Sequence, residues 1–323
     1  MRQAGRYMSE YREMRANVSF LDLCADPELM AETARFAAER VHVDAAILFS
    51  DLLLILMPMG LGLEYTKGHG PKLSGCVRTA ADVERIRVAV PSEELSHVFD
   101  GVRATREALP KDLPLIGFSG CPFTLASYAC EGGGSKNYLH TKTLMYREPD
   151  AWHALMGKLV DSIIPYLAGQ AEAGAQVLQV FDSWIGAVGP EDYATYVLPH
   201  SKRMIDGVKA LHPDVPLIHF GTGSCSLLEL MQQAGGDVVG IDFQTSLADG
   251  RRRLGDAQPV QGNLDPVALM ADWDVLKGMV QRVLDQNAGR PGHIFNLGHG
   301  ILPPTPVDNV ARVSDYVHEQ TAR

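Results

Sequence analysis

The chain has 323 residues, of which 46% are hydrophobic and 21% charged, a balance typical of a globular protein with a large core. Its net charge of −10, from 29 basic and 39 acidic residues, argues against general binding of nucleic acid or of a membrane surface. The five cysteines are an odd number without a C-x-x-C pair, and no apolar leader is visible. These features predict a cytoplasmic protein without disulfides.

Seven short apolar runs, each ending in small or polar residues, predict buried parallel strands. The runs lie at 45–49, 114–118, 177–181, 216–220, 238–242, 259–262 and 293–297. Amphipathic helical segments lie between them, and several are introduced by a proline suited to a first helical turn. These prolines are Pro27, Pro149, Pro266 and Pro306.

The alternation of strand and helix predicts a parallel sheet wrapped by helices, and we expect residues 1–323 to form a single (β/α)₈ barrel domain. Such a barrel needs eight strands, and only seven runs are found. A helix precedes the first run and requires a strand before it. We therefore expect the first strand to be missing or truncated at the N-terminus.

Chemically active side chains follow the predicted strands at their C-terminal ends, where barrels of this class build their active sites. Arg2 and Arg6 would follow the missing strand, and Asp51, Ser183 and His299 follow others. Two guanidinium groups so close together indicate a site for an anion with more than one carboxylate. The alternative is a frayed basic terminus.

Each of the other candidates has a structural alternative. Asp51 either caps the next segment or accepts N–H groups from a ligand. Tyr128 is a ligand contact or a core aromatic, and His299 is a ligand contact or a histidine bonded to nearby backbone. His219 lies inside a predicted strand and is interpreted as a core histidine. The glycine-rich segment 131–135 lacks the Lys-Ser/Thr of a P-loop and is predicted to be a flexible loop that orders over a ligand.

Several motifs, in one joint order and spacing, resemble the uroporphyrinogen decarboxylase family. They span nearly the whole chain. The motifs are MRQAGRY at 1–7, FSD at 49–51, GFSGCPFT at 117–124, Tyr128 with EGGG at 131–134, FDS at 181–183 and NLGHG at 296–300.

The resemblance implies a (β/α)₈ barrel, a homodimer, and no metal or organic cofactor. The implied reaction removes carbon dioxide from the four acetate side chains of uroporphyrinogen III and gives coproporphyrinogen III, in haem biosynthesis. Asp51 is implied to accept pyrrole N–H groups and to stabilise the transition state, with Arg2 and Arg6 as further catalytic candidates. Substrate contacts are implied for Arg2, Gln3, Ala4, Gly5, Arg6, Asp51, Tyr128, Ser183 and His299, and Arg15 lies on the same N-terminal segment.

Two alternatives remain open from the sequence. A zinc-dependent methyltransferase linked to cobalamin, on the same scaffold, needs one histidine and two thiolates. His219 is not followed by a cysteine two residues on, although Cys225 lies nearby in sequence. The second alternative is a homologue that binds tetrapyrroles without decarboxylating them.

Overall fold

The computed structural model describes residues 6–65 and 70–322, and the structural statements below concern these ranges. The strands are β1 (Ala46–Ile47), β2 (Gly62–Tyr65), β3 (Pro71–Ser74), β4 (Leu115–Gly120), β5 (Val177–Asp182), β6 (Leu217–Gly221), β7 (Val238–Gly240), β8 (Val260–Leu264) and β9 (His293–Leu297). The helices are α1 (Ser9–Asn17), α2 (Phe20–Ala25), α3 (Pro27–Val41), α4 (Ala80–Arg85), α5 (Pro91–Glu94), α6 (Ser96–Ala108), α7 (Pro122–Glu131), α8 (Leu139–Arg147), α9 (Pro149–Glu172), α10 (Pro190–Tyr196), α11 (Leu198–Leu211), α12 (Leu228–Ala234), α13 (Leu247–Leu254), α14 (Trp273–Asn287) and α15 (Val307–Thr321).

The described strands form one parallel sheet of seven, in the order β1-β4-β5-β6-β7-β8-β9, and one separate hairpin. All seven predicted strands are therefore present, with ends that differ by two residues or fewer. The expected burial does not hold for β9, an edge strand in which no residue is buried. Neighbouring parallel strands are consecutive along the curled sheet, as in a TIM barrel. The helices between them cover the outer face.

A cavity of about 1060 Å³ separates the two edges of the sheet. Residues of β1 and β9 line it from opposite sides, together with residues of α3, α14 and α15. We call this cavity the strand gap, since it has the position of the strand that would pair with both edges. In the described residues the fold is thus a TIM-type α/β barrel lacking one strand, as predicted.

The predicted starts of the helices follow from their capping residues. Asp26 accepts hydrogen bonds from the N–H groups of Glu28 (3.0 Å) and Leu29 (3.1 Å), so α3 begins at Pro27. The prediction that a helix begins at Pro266 needs correction. The Asp265 carboxylate accepts the N–H of Val267 at 2.8 Å, and residues Pro266–Met270 form a 3₁₀ turn before α14.

The antiparallel hairpin of β2 and β3 was not predicted. It pairs Gly62 with Ser74 and Tyr65 with Pro71. The N–H of Leu73 donates to the carbonyl of Gly132 at 2.8 Å, which ties β3 to the glycine-rich segment. The hairpin matters for the site because it carries Tyr65 back toward the end of β1.

The sheet presents its side chains alternately to the barrel interior and to the helices. Phe118, Phe181 and Phe220 share one face of neighbouring strands, with ring centroids 5.8 Å and 6.2 Å apart, and fill the interior. The residues that alternate with them along the strands, such as Val180 and its partner His219, lie on the other face. Among the described helices, none is both long and apolar enough to cross a bilayer.

Candidate active site

Asp51 lies four residues beyond β1 and is half-buried. Its Oδ1 accepts the N–H of Leu53 at 2.8 Å, so it fixes the turn that follows. Its carboxylate is also hydrogen-bonded to the hydroxyl of Tyr65. The two predicted roles of Asp51 are therefore compatible, because a carboxylate accepts several hydrogen bonds at once.

Two arginines from the N-terminal segment lie over Phe20, whose ring contacts the Tyr65 partner of this carboxylate. The guanidinium carbons of Arg6 and Arg15 lie 5.6 Å and 5.8 Å from the ring centroid of Phe20. That ring is 4.5 Å from the ring of Tyr65. An arginine stacked on an aromatic ring stays charged, and its N–H groups remain available to other acceptors.

The buried Cys24 thiol is close enough to all three charged groups to respond to them. Burial raises the pKa of the Cys24 thiol; the nearby Asp51 carboxylate raises it further, and Arg15 and Arg6 lower it. Arg15 also donates to the carbonyl of Val18. The structure thus brings Arg6, Arg15 and Asp51 together, whereas Arg2, Gln3, Ala4 and Gly5 lie outside the described residues.

A row of aromatic rings continues from Asp51 across the mouth of the barrel. Tyr65 lies close enough to Tyr128 for Tyr128 to raise its pKa. Tyr128 stacks on Trp184, with ring centroids 3.7 Å apart and planes at 27°. Tyr138 meets the same indole edge-on at 5.3 Å. Sequence reasoning found Tyr128 but missed the other three aromatic residues, although Trp184 directly follows the predicted Ser183 and Tyr138 follows the glycine-rich segment.

Ser183 and His299 line a second cavity, of about 720 Å³, at the end of this row. We call it the lysine cavity, after Lys136 and Lys142 in its lining. The N–H of Gly300 donates to Nδ1 of His299 at 2.6 Å, so the neutral imidazole carries its proton on Nε2. The structure therefore gives His299 both a bond to local backbone and a place in the cavity wall.

The glycine at position 298 is needed to form this wall. A Cβ there would lie 2.3 Å from the backbone nitrogen of Phe243 and 2.7 Å from its Cα. Backbone atoms cannot move away as a flexible side chain can. Gly298 therefore lets the segment after β9 lie directly against the segment after β7.

The segment predicted as a flexible loop is held at both ends. Gly132, with φ of 79°, ends α7 in the left-handed conformation that glycine favours. The Glu131 carboxylate accepts the N–H and the hydroxyl of Thr141, each at 2.8 Å. The N–H of Tyr138 donates to the Ser135 hydroxyl at 3.0 Å. These bonds fix where Lys136 and Tyr138 lie.

One group of described residues has donor atoms close enough to hold a metal. The ligand atoms of Cys121, Asp182 and His219 are buried and lie within 4.8 Å of one another. Burial raises the pKa of Asp182 to about 7 and lowers that of His219 to about 4. Thr124 donates to the Asp182 carboxylate at 2.8 Å.

This buried group does not resemble the thiolate site of the methyltransferase alternative. It contains one thiol, whereas that chemistry needs two. Cys225 is exposed and is not part of the group, so the group offers no second thiolate beside His219. His219 and Asp182 lie on the face of the sheet that packs against helices. They are outside the row of aromatic rings.

The sequence model described as "Uroporphyrinogen decarboxylase (URO-D)" matches residues 1–320. The chain belongs to the uroporphyrinogen decarboxylase family. A uroporphyrinogen decarboxylase of Carboxydothermus hydrogenoformans is 50% identical over 319 residues, covering 99% of this chain and 91% of the relative. One of Koribacter versatilis is 49% identical over 325 residues, covering 100% of this chain and 92% of the relative.

Two solved structures with the same fold carry the names of other enzymes. A methyltransferase from Methanosarcina mazei has a TM-score of 0.79 at 21% identity, covering 94% of this chain and 90% of its own. A putative vitamin-B12 independent methionine synthase from Listeria monocytogenes has a TM-score of 0.61 at 12% identity, covering 100% and 96%. At these identities the similarity shows the fold alone, so the methyltransferase alternative is not favoured over the uroporphyrinogen decarboxylase family.

Proposed function

We propose that this chain removes carbon dioxide from the four acetate side chains of uroporphyrinogen III and releases coproporphyrinogen III. The observation that carries the proposal is the family match over residues 1–320. The placement of Asp51 at a barrel mouth that also holds Arg6, Arg15 and a row of aromatic rings agrees with it. The reaction makes the chain a carboxy-lyase of porphyrin biosynthesis.

Decarboxylation needs a sink for the electrons of the carbon–carbon bond that breaks. A pyrrole protonated at a ring carbon becomes an iminium-like cation and provides it. As carbon dioxide leaves, these electrons form an exocyclic double bond. Protonation of the exocyclic carbon gives the methyl group, and loss of the ring proton restores the pyrrole. The balance for each acetate is one carboxylate and one proton consumed, and one methyl and one carbon dioxide formed.

In this proposal Asp51 stabilises the positive charge that develops on the ring. A fixed carboxylate at a half-buried position interacts with a cation more strongly than it does in water. The same carboxylate accepts pyrrole N–H groups and so orients the ring system. Each 1.36 kcal/mol of preferential transition-state stabilisation raises the rate about tenfold.

The remaining residues are assigned to binding. Arg2 and Arg6 hold carboxylates of the substrate, with Gln3, Ala4 and Gly5 lining the site between them and Arg15 beside them. Tyr128, Ser183 and His299 contact the side chains or the ring edge. Tyr128 stacks on Trp184, which lines the same cavity as Ser183 and His299, and this arrangement supports the assignment.

For its assembly and location, we propose one barrel domain over 1–323 that acts as a cytoplasmic homodimer. The continuous seven-stranded sheet supports the single domain, and the net charge of −10 agrees with a partner that is neither nucleic acid nor membrane. The homodimer follows from the resemblance to the family. Light scattering after size-exclusion chromatography tests it, and a monomer at micromolar concentration would contradict it.

Anaerobic incubation with uroporphyrinogen, followed by mass spectrometry of the porphyrins formed, tests the activity. We expect stepwise loss of four carboxyl groups with wild-type protein. Asp51→Asn should lower kcat about 100-fold or more, while Asp44→Asn, an exposed carboxylate beside β1, should match wild type. Normal turnover by Asp51→Asn would remove Asp51 from the mechanism. Binding without decarboxylation by wild-type protein would favour the inactive homologue.

A further inference from the structure

The lysine cavity contains cationic groups that the family motifs do not include. Lys136 is exposed and Lys142 half-buried, and both line the same cavity as His299. Within the described ranges, the lysines that form an ion pair with a carboxylate are Lys202 and Lys209. Lys136 and Lys142 thus bring positive charge to a cavity in a chain whose net charge is −10.

The one acid in the cavity lining forms no ion pair with these lysines. Asp242 is buried, and its two oxygens accept the N–H groups of Gly223 (2.5 Å) and Gln244 (3.1 Å). Its carboxylate therefore accepts hydrogen bonds from backbone next to the cavity. The uncharged polar lining residues supply further donors: Asn137, Tyr138, Ser183, Thr222 and Gln244.

The cavity lies at the opposite end of the aromatic row from the arginines. Arg6 and Arg15 lie over Phe20, next to Tyr65 and Asp51. Trp184, which stacks on Tyr128, forms part of the lysine cavity wall. A flat macrocycle held at Asp51 would extend along this row, with side chains directed to the arginines on one side and to the lysines on the other.

We propose that Lys136 and Lys142, with His299, form a carboxylate subsite that holds a side chain retained through the reaction. This proposal rests on the proposed function for the identity of its ligand. An ammonium group on a flexible stem binds a carboxylate as a point charge from several directions. That property suits a ring that is re-bound in different orientations between successive decarboxylations. This side chain is present in both the substrate and the product, so the subsite binds both.

The test compares Lys136→Gln, Lys142→Gln and the double variant with Lys202→Gln, a surface lysine paired with Asp206 at 2.9 Å. Anaerobic titration with coproporphyrinogen, followed by tryptophan fluorescence, gives Kd, and turnover of uroporphyrinogen gives KM and kcat. We expect each single substitution to raise Kd and KM about tenfold, equivalent to about 1.4 kcal/mol, with a smaller change in kcat. Lysine-to-arginine variants should restore most of the affinity, and Lys202→Gln should behave as wild type.

The outcomes separate the subsite from the proposed function. Wild-type turnover with unchanged Kd and KM in the double variant would overturn the subsite and leave the activity standing. A fall in kcat at unchanged Kd and KM would also overturn it. If wild-type protein does not decarboxylate, the proposed function fails, and the coproporphyrinogen titration of the same variants still decides whether the lysines bind carboxylates.

Discussion

The hydroxyl of Tyr65 is hydrogen-bonded to the carboxylate of Asp51. Burial, together with that carboxylate, raises the pKa of Tyr65 above its ordinary value of 10.0. The phenol therefore keeps its proton at neutral pH and acts as a donor to Asp51. A charged hydrogen bond of this kind fixes the orientation of the carboxylate. Tyr65 is thus a positioning residue for Asp51.

Tyr65→Phe is expected to lower kcat/KM about tenfold or more, since a hydrogen bond to a charged group contributes about 1.5–3 kcal/mol. Tyr146→Phe is the matched control, because Tyr146 donates to Asp192 at 2.6 Å on the exposed surface. Steady-state kinetics and thermal unfolding of both variants separate activity from stability. Equal kcat/KM in Tyr65→Phe and wild type would show that Asp51 does not depend on this bond.

Substitution of Arg6 should weaken substrate binding through loss of charge and of the stack on Phe20. We expect Arg6→Gln to raise KM about tenfold or more, and Arg6→Lys to raise it less. Arg35→Gln removes a guanidinium that pairs with Glu39 at 2.9 Å on the surface, and it should leave KM unchanged. If Arg6→Gln and Arg35→Gln give the same KM, Arg6 does not contact the substrate.

Asp182 should make stability depend on pH. Its pKa is about 7 in the fold, raised by burial from 3.8. Between these values the folded protein binds more protons than the unfolded chain, so the Asp182 contribution to stability falls as pH rises and is lowest above pH 7. Burial lowers the pKa of His219 from 6.5 to about 4, and its contribution has the opposite slope.

The difference between Asp182→Asn and wild type isolates the Asp182 contribution. Cys121 and Tyr193, which face the same carboxylate, have pKa values raised well above this window. We expect the variant to gain stability relative to wild type from pH 4 to pH 7, by up to roughly 4 kcal/mol. Urea unfolding at each pH measures it. Parallel pH profiles for the two proteins would contradict a buried, titrating Asp182.

Filling the strand gap should stabilise the barrel. An apolar, β-branched segment added upstream of Met1 is expected to pair with β1 and β9 and to raise Tm by about 2 °C or more. An extension of equal length made of glycine and serine is the control. Hydrogen exchange at the amides of β1 and β9 reports the pairing directly. If both extensions give the same Tm and the same exchange, the strand gap does not accept a strand.

The strand positions could be predicted from the sequence because a parallel strand covered on both faces must be apolar along its length. The runs at 177–181 and 216–220 show this, and they correspond to β5 and β6. The hairpin of β2 and β3 lacks that signal, since each of its strands buries one residue. The hairpin forms because it packs against the segments around it. A short polar sequence does not indicate such contacts.

The residue types of the site were also readable, because Asp51, Ser183 and His299 directly follow predicted strands and parallel strands end at one face. The residues that contact them could not be predicted in this way. Tyr65 reaches Asp51 through the hairpin, and Trp184 meets Tyr128 across the barrel mouth. Lys136 and Lys142 share a cavity with His299, and hydrogen bonds from Thr141 and Tyr138 hold the loop that carries them.

By itself, the sequence determined the order of the strands, the family and the acid at the centre of the proposed chemistry, since each depends on residue type and local spacing. Only the tertiary structure decided which aromatic and cationic groups surround that acid. Those contacts join segments far apart in the chain. Their geometry depends on how the helices and loops pack around the curled sheet, which no local pattern encodes.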